Sequence, residues 1–248
     1  TNYVAWNWKS GTTVSNSNGS ITSSVSANTT AGFSIVSYTG QSAAGTVGTG
    51  LSSPVELIFL KNRDQGVFWA GYVEALGNTK SISLNDSGAS YTEKTWNDTS
   101  PTSTVFSIGA QSETSSGRFN VAGEKFIAYC FHGVDGYSKV FEWDGNSSTD
   151  GVFKYLGFTP AFCFLKCVSG SSTQEWVMFD NKRNTYNVVN NFLYANDSAA
   201  ESSSASRIVD FVSNGLKFRG NDGATNTSGR SYIGYAVGSS PFKFSNAR

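Results

Sequence analysis

Histidine, proline and charged side chains are scarce in this sequence. These shortages reduce the number of function classes that the chain can have. Of 248 residues, one is histidine, 4 are proline and 15% are charged, with 18 Lys+Arg against 18 Asp+Glu. This neutral balance gives no electrostatic reason to expect nucleic acid or an anionic membrane as a partner. No apolar run approaches the roughly 18 residues of a membrane-spanning helix, so we expect no membrane insertion and no signal peptide.

Cysteine is also rare, with three residues at Cys130, Cys163 and Cys167. An odd number cannot pair completely within one chain, and the spacing is not that of a disulfide framework. Cys163 and Cys167 lie in an apolar run and would share one face of a strand. We interpret all three as buried thiols acting as small hydrophobic side chains; a soft metal site is the alternative.

The sequence is rich in turn formers and aromatic residues. It has 26 Gly, many Ser, Thr and Asn, and 14% aromatic residues within a 38% hydrophobic fraction. Such residues favour many short strands and tight turns over long helices. The sequence therefore predicts an all-β protein with a substantial core.

Four landmarks recur in the same order at nearly the same interval, which indicates an internal duplication. The recurring pairs are Gly40 and Gly145, Pro54 and Pro160, Trp69 and Trp176, and Phe126 and Tyr232, at offsets of 105, 106, 107 and 106 residues. A partial third copy is suggested by YVAW at positions 3–6, which is similar to FIAY at 126–129 and YIGY at 232–235. We predict two tandem related antiparallel β-sandwich units of jelly-roll-like architecture.

The domain prediction has three parts. Residues 1–31 form an initial strand followed by a Ser-, Thr- and Asn-rich arm or linker, residues 32–134 the first β-sandwich and residues 135–248 the second. The runs LIFLK and AFCFLK are too apolar for edge strands and should be central strands buried on both faces. SISLND at 81–86 is predicted as a half-buried strand, and 196–206 as either a short helix or a loop.

Several longer motifs carry a family resemblance. They include YVAWNWK at 3–9, ANTTAGFSIVSYTG at 27–40, AYCFHGVDGYSK at 128–139, GNSSTDGVFKYLGFTPAF at 145–162 and SSPFKFSNAR at 239–248. On these motifs the chain resembles the repeated β-rich domain of marine bacteriophage tail-fibre-like virion structural proteins. The resemblance covers essentially the whole chain, and it brings no catalytic residues with it.

The resemblance implies a non-enzymatic role on the virion surface. The first expectation is a tail-fibre or receptor-binding component that mediates adsorption to a host-surface glycan or protein. The alternative is a capsid decoration or knob protein that stabilises the particle or is displayed on it. Other virion proteins and further copies of the chain, with a trimer favoured, are the expected partners.

Exposed aromatic rings are the candidate ligand-binding residues, because sugar recognition combines flat rings with polar side chains. Trp8, Trp96, Trp143 and Tyr186 lie near polar or turn-like segments and are therefore predicted to contact the ligand. Trp69 and Trp176 lie in apolar runs matched across the two units. We interpret that pair as core residues.

Metal binding and catalysis are the remaining hypotheses. Asp144, Asn146, Ser148 and Asp150 place oxygen atoms at alternate positions, as calcium loops do, although a hairpin turn explains the same residues. We expect no cofactor, with calcium at this loop as the alternative. A Ser-His-Asp or Cys-His nucleophilic site would have to use His132, the only histidine, and Cys130 lies two residues from it. A hydrolase would need a carboxylate pair from Glu142, Asp144 and Asp150, or Asp180 with Glu175. Turn and surface roles account for all of them, so no enzyme is expected.

Overall fold

The computed structural model describes residues 4–113, 117–170 and 173–239, and its regular structure is almost entirely antiparallel β-sheet. The helical residues within these ranges form single 3-10 turns at Glu74–Leu76, Lys94–Trp96 and Gln111–Glu113. The all-β prediction and its β-sandwich character are confirmed. In the described part of the chain, no helix has the length and apolarity needed to cross a bilayer.

The first half of the chain builds one large sheet and two small ones. The large sheet has the strand order β1-β2-β3-β10-β5-β6, and β4 pairs with β9 and β7 with β8. The strands are β1 (Thr13–Asn16), β2 (Ser23–Asn28), β3 (Phe33–Thr39), β4 (Gly45–Gly48), β5 (Leu57–Asn62), β6 (Ala70–Val73), β7 (Lys80–Ser81), β8 (Tyr91–Thr92), β9 (Val105–Ile108) and β10 (Lys125–Phe131).

The second half builds a large sheet of the order β11-β19-β13-β14-β15-β16 and a small sheet of the order β12-β18-β17. Its strands are β11 (Ser138–Asp144), β12 (Phe153–Tyr155), β13 (Pro160–Cys167), β14 (Val177–Asp180), β15 (Asn191–Tyr194), β16 (Ser202–Ser203), β17 (Val209–Val212), β18 (Gly215–Phe218) and β19 (Ser231–Gly238). The turn at 134–137 separates the two halves, and the predicted boundary at 134/135 lies within it.

Three apolar cores separate four layers. One outer core lies between the first large sheet and the β4–β9 pair, and the other lies between the second large sheet and the β12-β18-β17 sheet. The third core, which we call the central core, lies between the two large sheets, because it joins Phe33, Phe59 and Phe131 to Phe164, Trp176 and Tyr235. The described strands of the two halves lie in separate sheets.

The central strands are apolar on both faces because both of their faces are buried. In β5, Ile58 and Leu60 enter an outer core and Leu57 and Phe59 enter the central core. In β13, Cys163, Leu165 and Cys167 enter the other outer core and Phe162 and Phe164 the central core. The prediction of LIFLK and AFCFLK as doubly buried central strands is therefore confirmed.

The two halves share local architecture. The order β3-β10-β5-β6 in one large sheet corresponds to β11-β19-β13-β14 in the other. A Cβ atom on Gly40 would lie 2.2 Å from the Val121 carbonyl oxygen, and one on Gly145 would lie 2.2 Å from that of Thr227. These matches agree with the proposed duplication, which itself stays a prediction to be tested by superposing residues 33–131 on 138–238.

The structure corrects the prediction for residues 10–31. They do not form a linker, because β1 and β2 extend the first large sheet and β2 pairs with β3 along its length. Ile21 and Val25 are buried in the outer core. Small Ser and Thr side chains fit this hairpin. The low content of large apolar residues therefore led to the wrong prediction of an arm or linker.

Three shorter predictions have mixed outcomes. The partial third copy is not a strand where it is described, because residues 4–12 have no regular secondary structure; residues 1–3 lie outside the described ranges. SISLND contributes Ser81 to β7 and a single bridge from Ile82 to Gly71. Of the two forms predicted for 196–206, the loop is confirmed, and it contains the short strand β16. Residues 240–248, which carry most of the predicted ending, also lie outside the described ranges.

Candidate functional site

An apolar cleft opens where the central core reaches the surface, and we call it the aromatic cleft. Its volume is about 460 Å³, within the size range of small-ligand sites. Both large sheets and the N-terminal segment contribute to its wall. The lining residues are Trp6, Asn7, Trp8, Phe33, Ile35, Leu57, Phe59, Trp69, Leu84, Tyr129, Phe131, Phe162, Phe164, Met178 and Tyr235.

The N-terminal segment supplies two of the half-buried rings. Trp6 and Trp8 are two residues apart, and both indoles pack on Phe162, with ring centroids 5.0 and 5.9 Å away. Trp8 also makes an edge contact with Phe131 at 6.2 Å. The segment is thus fixed by aromatic contacts rather than by strand pairing, and its rings remain partly accessible.

A second pair of rings lies in the wall formed by the first large sheet. Trp69 and Tyr129 stack with centroids 6.1 Å apart and an interplanar angle of 27°. Both rings are half-buried. The backbone N–H of Trp69 donates a 2.9 Å hydrogen bond to Oδ1 of Asn85, which positions the residue just before β6. The cleft therefore offers flat aromatic surfaces of fixed orientation.

Polar groups lie beside these rings. Asn7 is exposed between Trp6 and Trp8. The guanidinium of Arg183 lies 5.9 Å from the centroid of the Trp6 ring, and its Nε donates a 2.6 Å hydrogen bond to Asp180. An aromatic wall with a few oriented polar groups is the usual composition of a ligand site.

The four predicted ligand-binding aromatics lie in different places. Trp8 lies in the aromatic cleft. Tyr186 is 85% exposed on a loop that is not part of the cleft wall. That loop is held by Asn187, whose side chain exchanges two 2.9 Å hydrogen bonds with the Phe211 backbone. Ligand contact by Trp8 and Tyr186 stays a prediction.

For Trp96 and Trp143 the predicted exposure is wrong. Trp96 is 1% exposed and packs against Tyr72 and Phe106 in an outer core. Trp143 is 6% exposed, stacks between Phe218 and Tyr232, and donates its indole N–H to the Thr225 carbonyl at 2.9 Å. Polar neighbours in the sequence did not signal exposure, because tertiary contacts bury both rings.

The two residues interpreted as core differ from each other. Trp176 is 1% exposed, and its indole N–H donates a 2.9 Å hydrogen bond to the Ser83 carbonyl in the other half of the chain. Trp69 only partly fits that interpretation, because it is half-buried at the aromatic cleft. Because Trp69 lies in an apolar run, the sequence did not identify it as a candidate binding residue.

The candidate calcium loop uses its oxygen atoms for its own turn and its neighbours. Asp144 accepts a 2.7 Å hydrogen bond from the Ser231 hydroxyl, and Asp150 pairs with Lys217 at 2.7 Å. Asn146 Oδ1 accepts hydrogen bonds from the Ser148 backbone and from Asn226, and Ser148 Oγ accepts one from the Asp150 backbone. Within the described residues, no three His, Cys, Asp or Glu side chains cluster as a metal site.

The candidate nucleophile and base have structural surroundings. Cys130 is fully buried, and desolvation raises the pKa of its thiol to about 12, which disfavours the reactive thiolate. His132 is also buried, with Nδ1 2.8 Å from the Gly133 carbonyl. Burial likewise raises the pKa of Cys163. The three cysteines are free and buried, as interpreted from the sequence.

The candidate carboxylates are bound in local contacts. Asp180 accepts hydrogen bonds from the backbone of Lys182 and Arg183 as well as pairing with the Arg183 guanidinium. Glu175 accepts a hydrogen bond from the Asn196 side chain. Glu142 is exposed and lies in a surface groove with Lys154, outside the aromatic cleft. These contacts are those of structural and surface acids.

Trp6, Trp69 and Tyr129 were missed as binding candidates. The spacing of Trp6 and Trp8 was a usable signal, because residues two apart in an extended segment share a face. No local signal marks Trp69 and Tyr129, since their exposure depends on where two distant sheets separate.

A family model described as "Domain of unknown function (DUF7483)" matches residues 1–241. No curated protein and no solved structure significantly matches the chain.

Proposed function

The chain belongs to the family described as a domain of unknown function (DUF7483), and we propose its function from the motif resemblance given above and from the geometry of the aromatic cleft. It is a non-enzymatic surface component of a phage virion, of the tail-fibre type, that mediates adsorption to the host. It binds host-surface glycan in the aromatic cleft, and no cofactor takes part.

The observation that carries this proposal is the set of fixed, half-exposed rings in the cleft. The apolar face of a sugar ring packs well on a flat indole or phenol, while its hydroxyls need polar partners nearby. Trp69 stacked on Tyr129 offers the first element. Asn7 and the Asp180-paired guanidinium of Arg183 offer the second.

The candidate catalytic groups support a binding role over a chemical one. The Cys130 thiol has a raised pKa and lies in an outer core, and the Asp180 carboxylate is engaged by Arg183. A rigid β-sandwich with a surface cleft suits recognition instead. Weak binding by one cleft becomes effective when several copies on one virion engage the host together, so a homo-oligomer, with a trimer favoured, belongs to the proposal.

Titration of the protein with purified host-surface polysaccharide, followed by tryptophan fluorescence and calorimetry, tests the site. We expect Trp69→Ala to weaken binding at least about tenfold, or about 1.4 kcal/mol, because a stacking surface is lost. Trp8→Ala should also weaken it. Phe153→Ala is the matched control, because Phe153 is 45% exposed and lies outside the cleft.

Equal affinities for Trp69→Ala, Phe153→Ala and the unchanged protein would remove the cleft from the proposal. In that case Tyr186→Ala tests the exposed loop as the alternative contact. Loss of binding in that variant alone would keep the receptor-binding function and relocate the site.

The position on the particle is tested separately by cryo-electron microscopy of intact virions. Density for this fold at the tail, in threes or sixes, agrees with a fibre component. Many copies distributed over the capsid shell would favour the decoration or knob protein instead, with particle stability as its role.

A further inference from the structure

The two large sheets differ at corresponding edges. In the first sheet, β3 lies between β10 and the hairpin β1–β2, and β2 pairs with β3 from Asn28 to Ser23. In the second sheet, β11 holds the place of β3 beside β19, and in the described ranges no strand pairs with its other edge. Among the described residues, the second half thus leaves open an edge that is covered in the first.

A surface groove of about 570 Å³ lies along this open edge. Its wall combines Lys139–Glu142 of β11, Lys154 and Tyr155 of β12, and Glu74 with Ala75 from the other half of the chain. Four strand residues span about 13 Å, so the groove offers a strand-length section of backbone edge between two β-layers.

The hairpin fills the equivalent space in the first half. The segment between β1 and β2 reaches the outer sheet, where the Ile21 N–H donates a 3.0 Å hydrogen bond to the Thr46 carbonyl. The Ser23 hydroxyl donates to the Gly48 carbonyl at 3.2 Å. An extended segment of this chain therefore closes the gap between a large and a small sheet by pairing on one side and packing on the other.

We propose that the groove beside β11 accepts a strand from a second copy of this chain, and that β1 of that copy is the strand. β1 is the end strand of the first large sheet, and no strand of the described ranges pairs with its outer edge. Such an edge presents unpaired backbone groups to another strand. Its sequence, TVSN, has small, uncharged side chains, and Val14 is 56% exposed. Pairing would cover this valine and extend one large sheet into the next molecule.

The charged side chains around β11 restrict which strands can pair there. Lys139 lies 5.6 Å from the centroid of the Tyr155 ring and Glu142 lines the same groove. Charges on an edge strand oppose unselective sheet addition. A short neutral strand places no like charge beside Lys139 or Glu142. A charged strand would place a like charge beside one of them. The contact uses different surfaces on the two copies, so it generates either a closed ring or an open filament.

Disulfide trapping between two variants tests this contact on the full chain. Val14→Cys protein is mixed with Glu142→Cys protein under mild oxidation, and the mixed dimer is measured on non-reducing gels. The native cysteines are all buried, so they should not contribute. Tyr186→Cys mixed with Glu142→Cys is the matched control, because Tyr186 is more exposed than Val14.

We expect the Val14→Cys and Glu142→Cys pair to give at least about five times more mixed dimer than the control pair. Equal yields, or cross-linking of either variant mainly with itself, would overturn the β1–β11 contact. Sedimentation of the unchanged protein should show association that increases with concentration, and a monomer at every concentration would also count against it. Glycan binding is measured separately, so this result leaves the adsorption proposal untouched.

Discussion

At the scale of single residues, two buried asparagines organise corresponding places in the two halves. Asn120 Oδ1 accepts from the Gln41 backbone and its Nδ2 donates to the Ala43 and Gly109 carbonyls. Asn226 Oδ1 accepts from the Asn146 backbone and its Nδ2 donates to the Gly220 and Ser148 carbonyls. Each side chain is 0% exposed, so the loop groups that it bonds depend on it for partners.

Asn226→Ala should destabilise the protein by about 3 kcal/mol, because it leaves buried backbone groups without partners. Asn78→Ala is the matched control, since Asn78 makes one exposed hydrogen bond to Ser100, and should cost under about 1 kcal/mol. Urea unfolding of both variants measures the difference. Similar costs for the two would show that the buried network contributes little.

Lys166 makes stability depend on pH. Its side chain is 0% exposed and donates to the Ser87 carbonyl at 2.7 Å, and desolvation lowers its pKa from 10.5 to about 8. Below pH 8 both states carry the charge. Between pH 8 and 10.5 the unfolded chain binds more protons than the folded one, so the free energy of unfolding rises with pH.

We expect the unchanged protein to gain about 1 kcal/mol of stability relative to Lys166→Met between pH 7 and pH 9. Comparing the two proteins cancels the titration of other groups, including the buried thiols that oppose this trend at higher pH. Urea unfolding at both pH values gives the result. Parallel pH profiles would mean that the ammonium group is not desolvated in the folded state.

At the scale of elements, close packing determines which positions of the central strands require a small residue. Gly234 of β19 lies under Phe141, and an added Cβ would lie 2.5 Å from the end of that ring and 2.8 Å from Leu165 Cδ2. Residue 128 of β10, in the corresponding strand, is an alanine that is fully buried. The two outer cores thus have corresponding strands but differ in their detailed side-chain packing.

Gly234→Ala should therefore destabilise the fold by about 1–3 kcal/mol through overpacking. Gly66→Ala is its control, because no atom lies within 4 Å of a Cβ at that position, and it should change stability by less than about 0.5 kcal/mol. Thermal unfolding followed by circular dichroism compares them. A neutral Gly234→Ala would mean that Phe141 shifts without cost.

The sequence predicted the elements whose apolar pattern is continuous and local. LIFLK and AFCFLK identified β5 and β13 because burial on both faces removes all alternation. The β1–β2 hairpin was missed because Ser and Thr carry no strong pattern, although their small side chains still bury Val25. The aromatic cleft could not be predicted, since Trp69 and Trp8 are brought together only by the packing of distant segments.

At the scale of the molecule, the central core makes the two halves dependent on each other. Phe162, Phe164, Trp176 and Ile233 of the second half are buried in one core with Phe33, Leu57, Phe59 and Phe131 of the first. The Gln174 N–H donates to the Ser87 carbonyl at 2.9 Å across the same boundary. A separated half would expose an extended apolar sheet face to water.

Residues 135–239 expressed alone should therefore aggregate or fail to fold, while residues 1–248 should unfold in one cooperative transition. Light scattering and calorimetry of the two proteins test this. A soluble monomeric half with native-like circular dichroism would show that each sandwich is independent and that the central core adds little to its stability.

The strand order also sets the time course of folding during synthesis. Phe33 pairs with Phe131 and Ser138 with Val237, so partners are 98 and 99 residues apart. Closing such long loops before any contact compensates for the lost entropy makes folding slow. At a synthesis rate of about 5–20 residues per second, β10 leaves the ribosome roughly 5–20 s after β3. During that interval the nascent chain has only the β1–β2 hairpin available to pair with β3.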